Sequence, residues 1–360
     1  MSSQQTLVIK IGSNVLTQSN GLPDLSRMEH LTGQIMALRK TGKKVVLVSS
    51  GAVAFGKQHN PLPEKLNPIL KKQIWAATGQ VRLIQEYQHL FQAKNQGIAQ
   101  VLVTKEDFRD RKHYLNMKNC VEALLQQDII PIVNENDTVT ITELMFTDND
   151  ELASLTAAMI NADSLLILSN VDGIFTGNPE DPSSELIESV NASVAEISNY
   201  ITASKSSFGR GGMLTKFAMA KKSADLGIEV IITNGKKDGC LTDFLNNRLR
   251  CTRFETKKKK QASKKWLAHG SDYFKGEVFI NEGAKKSLTS TVIRSLLPIG
   301  VTQIKGEFEK GDIILIRDES NEKIGLGKAA YSSKSANEKI GLKNQKPIIH
   351  YDYLYLFDHD

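Results

Sequence analysis

The sequence predicts a three-layer α/β/α domain with a mainly parallel sheet, followed by a small, mostly-β domain. Three observations lead there. Short β-branched or leucine-rich runs recur up to about residue 235, each apolar at its centre, as strands buried on both faces of a parallel sheet are. Helix-period stretches alternate with them, the pattern of right-handed βαβ crossovers. After Cys251 the alternation stops, a basic polar stretch follows, and short strands with turn signals between them begin at Gly276.

The expected strands of the first part are Thr6–Ile11, Lys44–Ser49, Ile98–Thr104, Ile129–Val133, Ser164–Ser169 and Ile228–Thr233. Asp24–Thr41 reads as an amphipathic helix, with Leu25, Met28, Leu31, Ile35 and Leu38 on one face. Gln73–Lys94, His113–Gln127, Asn149–Asn161 and Met213–Leu226 follow the same period. One piece interrupts the alternation. Thr138–Thr142 and Leu144–Thr147 read as a hairpin around Glu143, a candidate flap between two acidic clusters. In the second part the expected strands are Glu277–Ile280, Val301–Ile304, Ile313–Arg317 and Gly325–Ala330, separated by turns such as Lys310-Gly311-Asp312. The domain boundaries predicted on this basis are 1–252 and 275–355, joined by a basic linker over 253–274.

Composition narrows the function class. The chain has 360 residues, 40% of them apolar and 24% charged, enough for sizeable cores. No apolar run approaches the roughly 18 residues of a membrane span. The first residues are polar and uncharged and lead straight into a strand, so no secretory signal is expected. Cys120, Cys240 and Cys251 are scattered and odd in number. That pattern fits neither a disulfide framework nor a zinc site, and it predicts a reducing, cytoplasmic setting. The seven histidines form no HExxH pair. Charge is uneven: residues 1–250 carry 26 Lys and Arg against 26 Asp and Glu, and residues 251–360 carry 20 against 14. The run Lys257–Lys260 adds to this excess. Without interleaved aromatics it reads as a solvated linker before it reads as a nucleic-acid contact.

Several chemistries lack their motif. There is no GxxxxGK[ST] loop, no GxGxxG after the first strand and no GxSxG elbow. In open parallel sheets ligands bind beyond the carboxyl ends of the strands, so the polar residues expected there form the candidate site. They are Lys10, Gly12, Ser13 and Asn14; Ser50 and Gly51; Asn134 to Asp137; Asp148 to Asp150; Ser169 and Asn170; and Gly209 to Gly212 before a helix that carries Lys216. Glycines between strand and helix let backbone N–H groups approach an anion. Two lysines near such nests, with little histidine, suit stabilisation of a transferring phosphoryl group. Asn134, Asn136 and Asp137 suit recognition of an amino group. Asp137, Asp148 and Asp150 are open to three roles, Mg²⁺ binding, lysine positioning and helix capping, with Asp148 standing where an N-cap would be. No metal ligand set is readable, and Mg²⁺ commonly rides on nucleotide phosphates.

With these residues assembled, the chain resembles the amino acid kinase family. The matching stretches are Val8–Ser13, Val48–Ala52, Ala77–Gln80, Ile132–Asp137, Asp148–Asp150 and Gly211–Lys216. Residues 276–312 resemble the PUA domain appended to many members. The resemblance implies ATP-dependent phosphorylation of the γ-carboxylate of L-glutamate to L-glutamyl 5-phosphate, the first step of proline biosynthesis, with Mg²⁺. It implies that Lys10 and Lys216 neutralise charge at the phosphoryl group and that Asp150 orients them. Ser50, Gly51, Asn134, Asp137 and Asn149 would hold glutamate. Lys10, Gly12, Ser169, Asn170, Arg210, Gly211, Gly212, Met213, Leu214, Thr215 and Lys216 would contact ATP. It further implies a homo-oligomer, dimer or tetramer, with feedback by L-proline and a functional link to glutamyl phosphate reductase. Two departures bear on nucleotide contacts: Ser169-Asn170 stands where Thr-Asp is frequent, and Phe175 where tyrosine is common. The alternatives are an acid kinase of the same fold acting on aspartate, acetylglutamate or carbamate, or an RNA-binding protein working through its basic second part.

Overall fold

The computed structural model describes residues 4–139, 146, 148–190, 213–256, 274–290 and 294–357, with backbone alone at 111 and 214. Residues 4–256, apart from the segment 109–112, belong to one compact unit and 274–357 to another.

In the first unit the strands are β1 (Thr6–Ile11), β2 (Lys44–Ser49), β3 (Ile98–Val103), β4 (Ile130–Glu135), β5 (Ser164–Ser169), the short β6 (Ile174–Phe175), β7 (Leu186–Ile187) and β8 (Ser189–Val190), then β9 (Glu229–Asn234) and β10 (Cys251–Phe254). The main sheet runs β3-β4-β2-β1-β5-β9-β10-β8. It is parallel from β3 to β9, and β10 joins β9 antiparallel. The helices are α1 (Ser13–Leu16), α2 (Leu25–Lys40), α3 (Ala52–His59), α4 (Pro68–Gln92), α5 (Lys105–Arg109), α6 (Arg111–Gln126), α7 (Asn149–Met159), α8 (Met213–Asp225) and α9 (Cys240–Leu245).

Strand alternation sorts the layers. Leu7, Ile9 and Ile11 of β1 join Val45 and Leu47 of β2 in a core with Met28, Leu31, Ile35 and Leu38 of α2 and Leu83, Tyr87 and Phe91 of α4. Val8 and Lys10 therefore point to the opposite face, where α7 packs on β1 and β5 and α8 packs on α7. Lys10 alternates towards a helix and is buried, so it is not a solvent-facing strand residue. Every residue of α7 from Asp150 to Met159 is buried. This helix is buried on all sides because sheet and α8 both cover it.

Three sequence expectations need correction. The strand at 98 is not buried on both faces, because β3 is the sheet edge and pairs only with β4; Leu102 is 41% exposed. The fourth strand runs two residues past Val133, so Asn134 and Glu135 are buried strand residues opposite Leu102 and Val103 of β3. The helix expected from Gln73 begins at Pro68, where Asn67 caps it by accepting from the Ile69 N–H at 2.8 Å. The added turns bring Lys72 into α4. Of the expected hairpin, Thr138 and Val139 lie in a turn, and Thr140–Met145 and Thr147 fall outside the described residues. So does the run Lys257–Lys260.

The second unit holds β11 (Gly276–Ile280), α10 (Glu282–Leu288), β12 (Val301–Lys305), β13 (Ile313–Arg317), β14 (Lys323–Ala329), α11 (Ser333–Asn337) and β15 (Ile349–Leu356). Its sheet order is β12-β11-β13-β14-β15, with one parallel pair, β11 and β13. Val278, Ile280, Ile314, Ile316 and Ile324 form its own core with Leu296 and Ile349. β15 was not expected from the sequence. It sets Tyr351, Tyr353 and Tyr355 at alternate positions of one strand, so this part does carry aromatics in a row, Tyr351 and Tyr353 among them exposed.

Candidate active site

The site begins with two glycines at strand-to-helix junctions. Gly51 caps α3 in the left-handed region at φ 108°, a conformation costly for residues with a Cβ. Gly12 follows β1, and a Cβ there would stand 3.2 Å from the Leu168 carbonyl oxygen and 3.3 Å from Lys10 Nζ. α3 itself is held close to α4 by two more glycines. A Cβ on Gly79 would overlap the Ala52 carbonyl oxygen at 1.7 Å, and one on Gly56 the Trp75 carbonyl oxygen at 1.9 Å.

At the carboxyl end of the sheet, Asp150 sits in the first turn of α7, where the helix dipole favours an anion. Asp148 caps that turn, its Oδ1 accepting from the N–H groups of Asp150 at 2.9 Å and Glu151 at 3.1 Å. Lys10 Nζ lies 2.7 Å from Asp150 Oδ1, and Lys216 Nζ donates to Asp150 Oδ2. Burial would raise the Asp150 carboxyl, but the Lys10 and Lys216 ammoniums outweigh it and hold the pKa at about 2. One ionised carboxylate thus gathers two ammonium groups, and the cluster keeps one net positive charge. Burial first, and the Asp150 charge next, raise the Asp148 carboxyl above the ordinary range.

Asn149, the first residue of α7, ties the ends of β2 and β4 together. Its Nδ2 donates to Ser50 Oγ at 2.7 Å and the Ser49 carbonyl at 3.1 Å, with Asn134 Oδ1 at 3.3 Å. Asn134 donates in turn to Gln80 Oε1 at 2.8 Å. Beyond it, Asp137 Oδ1 accepts from Lys72 Nζ at 2.7 Å. Glu135 is buried between these groups and accepts from the Phe146 N–H at 3.1 Å. Burial, then the charge of Asp137, pushes its carboxyl up to about 7.

Apart from Asp150 and Gln80, these groups line one cavity of about 710 Å³, within the usual range for ligand sites of about 300–1,000 Å³. Lys10, Gly12, Ser50, Gly51, Asn134, Asp137 and Asn149 all border it. Ser169, Asn170, Phe175, Met213 and Lys216 border its other part. Thr215 is in α8 but does not face the cavity. Arg210, Gly211, Gly212 and the Leu214 side chain lie outside the described residues.

The sequence of the chain matches the model of the amino acid kinase family over residues 5–234 and that of the PUA domain over 276–351. It is 48% identical over 353 residues to the glutamate 5-kinase of Bacteroides thetaiotaomicron, covering 97% of this chain and 98% of that one. It is 49% identical over 357 residues to that of Chlorobaculum tepidum, covering 97% of each. The chain belongs to the glutamate 5-kinases of the amino acid kinase family. A solved structure of carbamate kinase from Giardia lamblia bound to AMP-PNP matches at a TM-score of 0.52 and 20% identity, covering 71% of this chain and all of that one. It shows that the amino acid kinase fold is shared.

Sequence reasoning placed Glu135 among the polar residues of the site without a role, and it missed Lys72 and Gln80. Gln80 had a signal, since the stretch Ala77–Gln80 carries the family resemblance. Its part is now physical: Gly79 permits the helix contact, and Gln80 holds Asn134. Lys72 fell one residue before the expected helix. Glu135 was read as a loop residue after the fourth strand.

Proposed function

We propose that this protein transfers the γ-phosphoryl group of ATP to the γ-carboxylate of L-glutamate, giving L-glutamyl 5-phosphate and ADP in the first step of proline biosynthesis. The observation that carries the mechanism is the Lys10–Asp150–Lys216 cluster at the carboxyl end of the parallel sheet. A glutamate γ-carboxylate has a reference pKa of about 4.3 and is already ionised at pH 7, so no general base is needed. The obstacle is bringing that anion against a polyphosphate. Like charges about 4 Å apart repel by roughly 4 kcal/mol per pair at an effective dielectric of 20. Lys10 and Lys216, held in place by Asp150, offset that repulsion where charge spreads over the transferring oxygens. A carboxylate oxygen forms the new bond to the γ-phosphorus as the bond to the ADP oxygen breaks.

Ser50, Gly51, Asn134, Asp137 and Asn149 hold the amino acid in this reading. Ser169, Asn170, Arg210 to Leu214 and Lys216, with Lys10 and Gly12, hold the nucleotide. Mg²⁺ fits the residues present, because Asp148 Oδ2 is buried with no hydrogen-bond partner among the described groups and the residue borders the cavity. Asp148 would hold the ion on the nucleotide phosphates, where it supplies charge neutralisation. Residues 1–252 carry the reaction and residues 275–355 form the appended PUA-like domain, with 253–274 between them. On the same reading the enzyme is a cytoplasmic homo-oligomer, dimer or tetramer. L-proline inhibits it, and glutamyl phosphate reductase consumes its product. RNA binding through the second domain is not adopted as the function.

The test is ATP-dependent acyl-phosphate formation trapped with hydroxylamine, using glutamate, aspartate, acetylglutamate and carbamate with and without Mg²⁺. Hydroxamate with glutamate alone is the expected outcome. Silence with glutamate from folded protein that binds ATP would overturn the assignment.

A further inference from the structure

The proposed substrate carries three charges, and the residues expected to hold it match only two. Lys10 and Lys216 serve the reacting γ-carboxylate, and Asp137 suits the α-ammonium. Ser50, Asn134 and Asn149 are neutral. The α-carboxylate is then an anion without a cation, next to the anionic Asp137, and burying an unpaired charge is expensive.

Among the described residues bordering the cavity, the lysines are Lys10, Lys57, Lys72 and Lys216. Lys10 and Lys216 are committed to Asp150. Lys57 Nζ lies 5.1 Å above the centre of the Trp75 ring. Lys72 stands 2.7 Å from Asp137, with its side chain 35% exposed against 14% for Asp137. It is long enough to turn without leaving the cavity wall, and α4 fixes its origin: the helix is capped by Asn67 and anchored to α3 through Gly79.

We infer that Lys72 is the cation that binds the substrate α-carboxylate, so that the Lys72–Asp137 pair forms a preset dipole complementary to the α-carbon zwitterion. The inference rests on the glutamate reading above. Asp137 exchanges one ammonium, that of Lys72, for the substrate's. Lys72 exchanges the Asp137 carboxylate for the substrate's. No charge is left without a partner on either side of the exchange, which is why the empty site tolerates both groups. The arrangement selects acids that carry an α-amino and an α-carboxylate group together.

The experiment compares glutamate with isoglutamine, its α-carboxamide, which keeps the γ-carboxylate and the α-ammonium. The readout is the ratio of their kcat/KM values in the hydroxamate assay, for wild type, Lys72→Met and Lys72→Arg. Wild type should favour glutamate strongly. In Lys72→Met the KM for glutamate should rise on the order of 30-fold, the scale of losing one partner of a hydrogen-bonded charge pair. The KM for ATP should hold, and the glutamate-to-isoglutamine ratio should fall about tenfold or more. Lys72→Arg should restore most of the ratio. If Lys72 acts only by holding Asp137, both substrates weaken together and the ratio stays; that result overturns the inference while leaving the kinase reading intact. A wild type inert towards glutamate overturns the kinase reading, and the inference with it.

Discussion

Lys10, Asp150 and Lys216 come from three separate elements and meet at one carboxylate. Removing either lysine leaves the other on Asp150, neutralised, and strips the site of its net positive charge. Lys10→Ala and Lys216→Ala should each lower kcat about 100-fold or more, on the order of 3 kcal/mol of transition-state stabilisation. Steady-state kinetics checks this, with circular dichroism confirming the fold. Glu135 makes a separate prediction about pH. Its carboxyl binds a proton more tightly in the folded chain, at about 7, than at its ordinary value of 4.5. Its stabilising contribution is therefore complete below about pH 4.5 and is lost as pH rises through about 7. Asp150 works in the opposite sense. Its contribution is present above 3.8 and is lost as pH falls towards 2. Thermal unfolding of wild type and Glu135→Gln across pH 4.5–8 should show a decline in the former that is absent in the latter.

At the scale of elements, the pair α3 and α4 decides the geometry of the end of the cavity proposed to hold the amino acid. Ser50 and Gly51 lead into α3, and Lys72 and Gln80 sit on α4. The two helices touch through backbone at Gly56 and Gly79, where no side chain fits. Gly79→Ala would drive a methyl into the Ala52 carbonyl and force the helices apart. Overpacking of this kind costs about 1–3 kcal/mol, and more where backbone must move. The expected result is a lower Tm together with a raised KM for glutamate and an unaltered KM for ATP. Equal changes in both KM values would show that the contact does not act through the amino-acid end. α7 supplies the other fixed point. Its dense burial and its Asp148 cap hold Asn149 and Asp150 without freedom to drift.

At the scale of the molecule, all described residues of the cavity belong to the first unit, and each unit has its own buried cluster. A chain ended at residue 256 should therefore keep hydroxamate formation with glutamate within several-fold of the full chain. Assaying both chains side by side checks this. A drop of 100-fold or more in a chain that still unfolds cooperatively would show that the second domain takes part in the reaction.

The fold class, the five inner parallel strands and the order of the polar clusters at their carboxyl ends were legible because burial on both faces leaves a plain mark in sequence. β1, β2 and β5 match their expected bounds for that reason. The edge strand β3 read as a buried strand because its apolar composition says nothing of how many neighbours it pairs with. β15 was missed because its alternating tyrosines look polar to an eye set for continuous apolar runs. The lysines and Asp150 were legible as a set, since nests, cations and acids recur in one order along the chain. Gln80 and Lys72 were not, because their roles depend on contacts across 54 residues between Gln80 and Asn134 and 65 between Lys72 and Asp137. The sequence by itself determined the sheet, its layers and the order of the groups that include Lys10, Asp150 and Lys216, where strand period and glycine placement are local properties. Only the tertiary structure decided that Lys72 meets Asp137 and Gln80 meets Asn134. Both contacts are made where a helix crosses a strand end, and no local pattern encodes which residue of the helix arrives there.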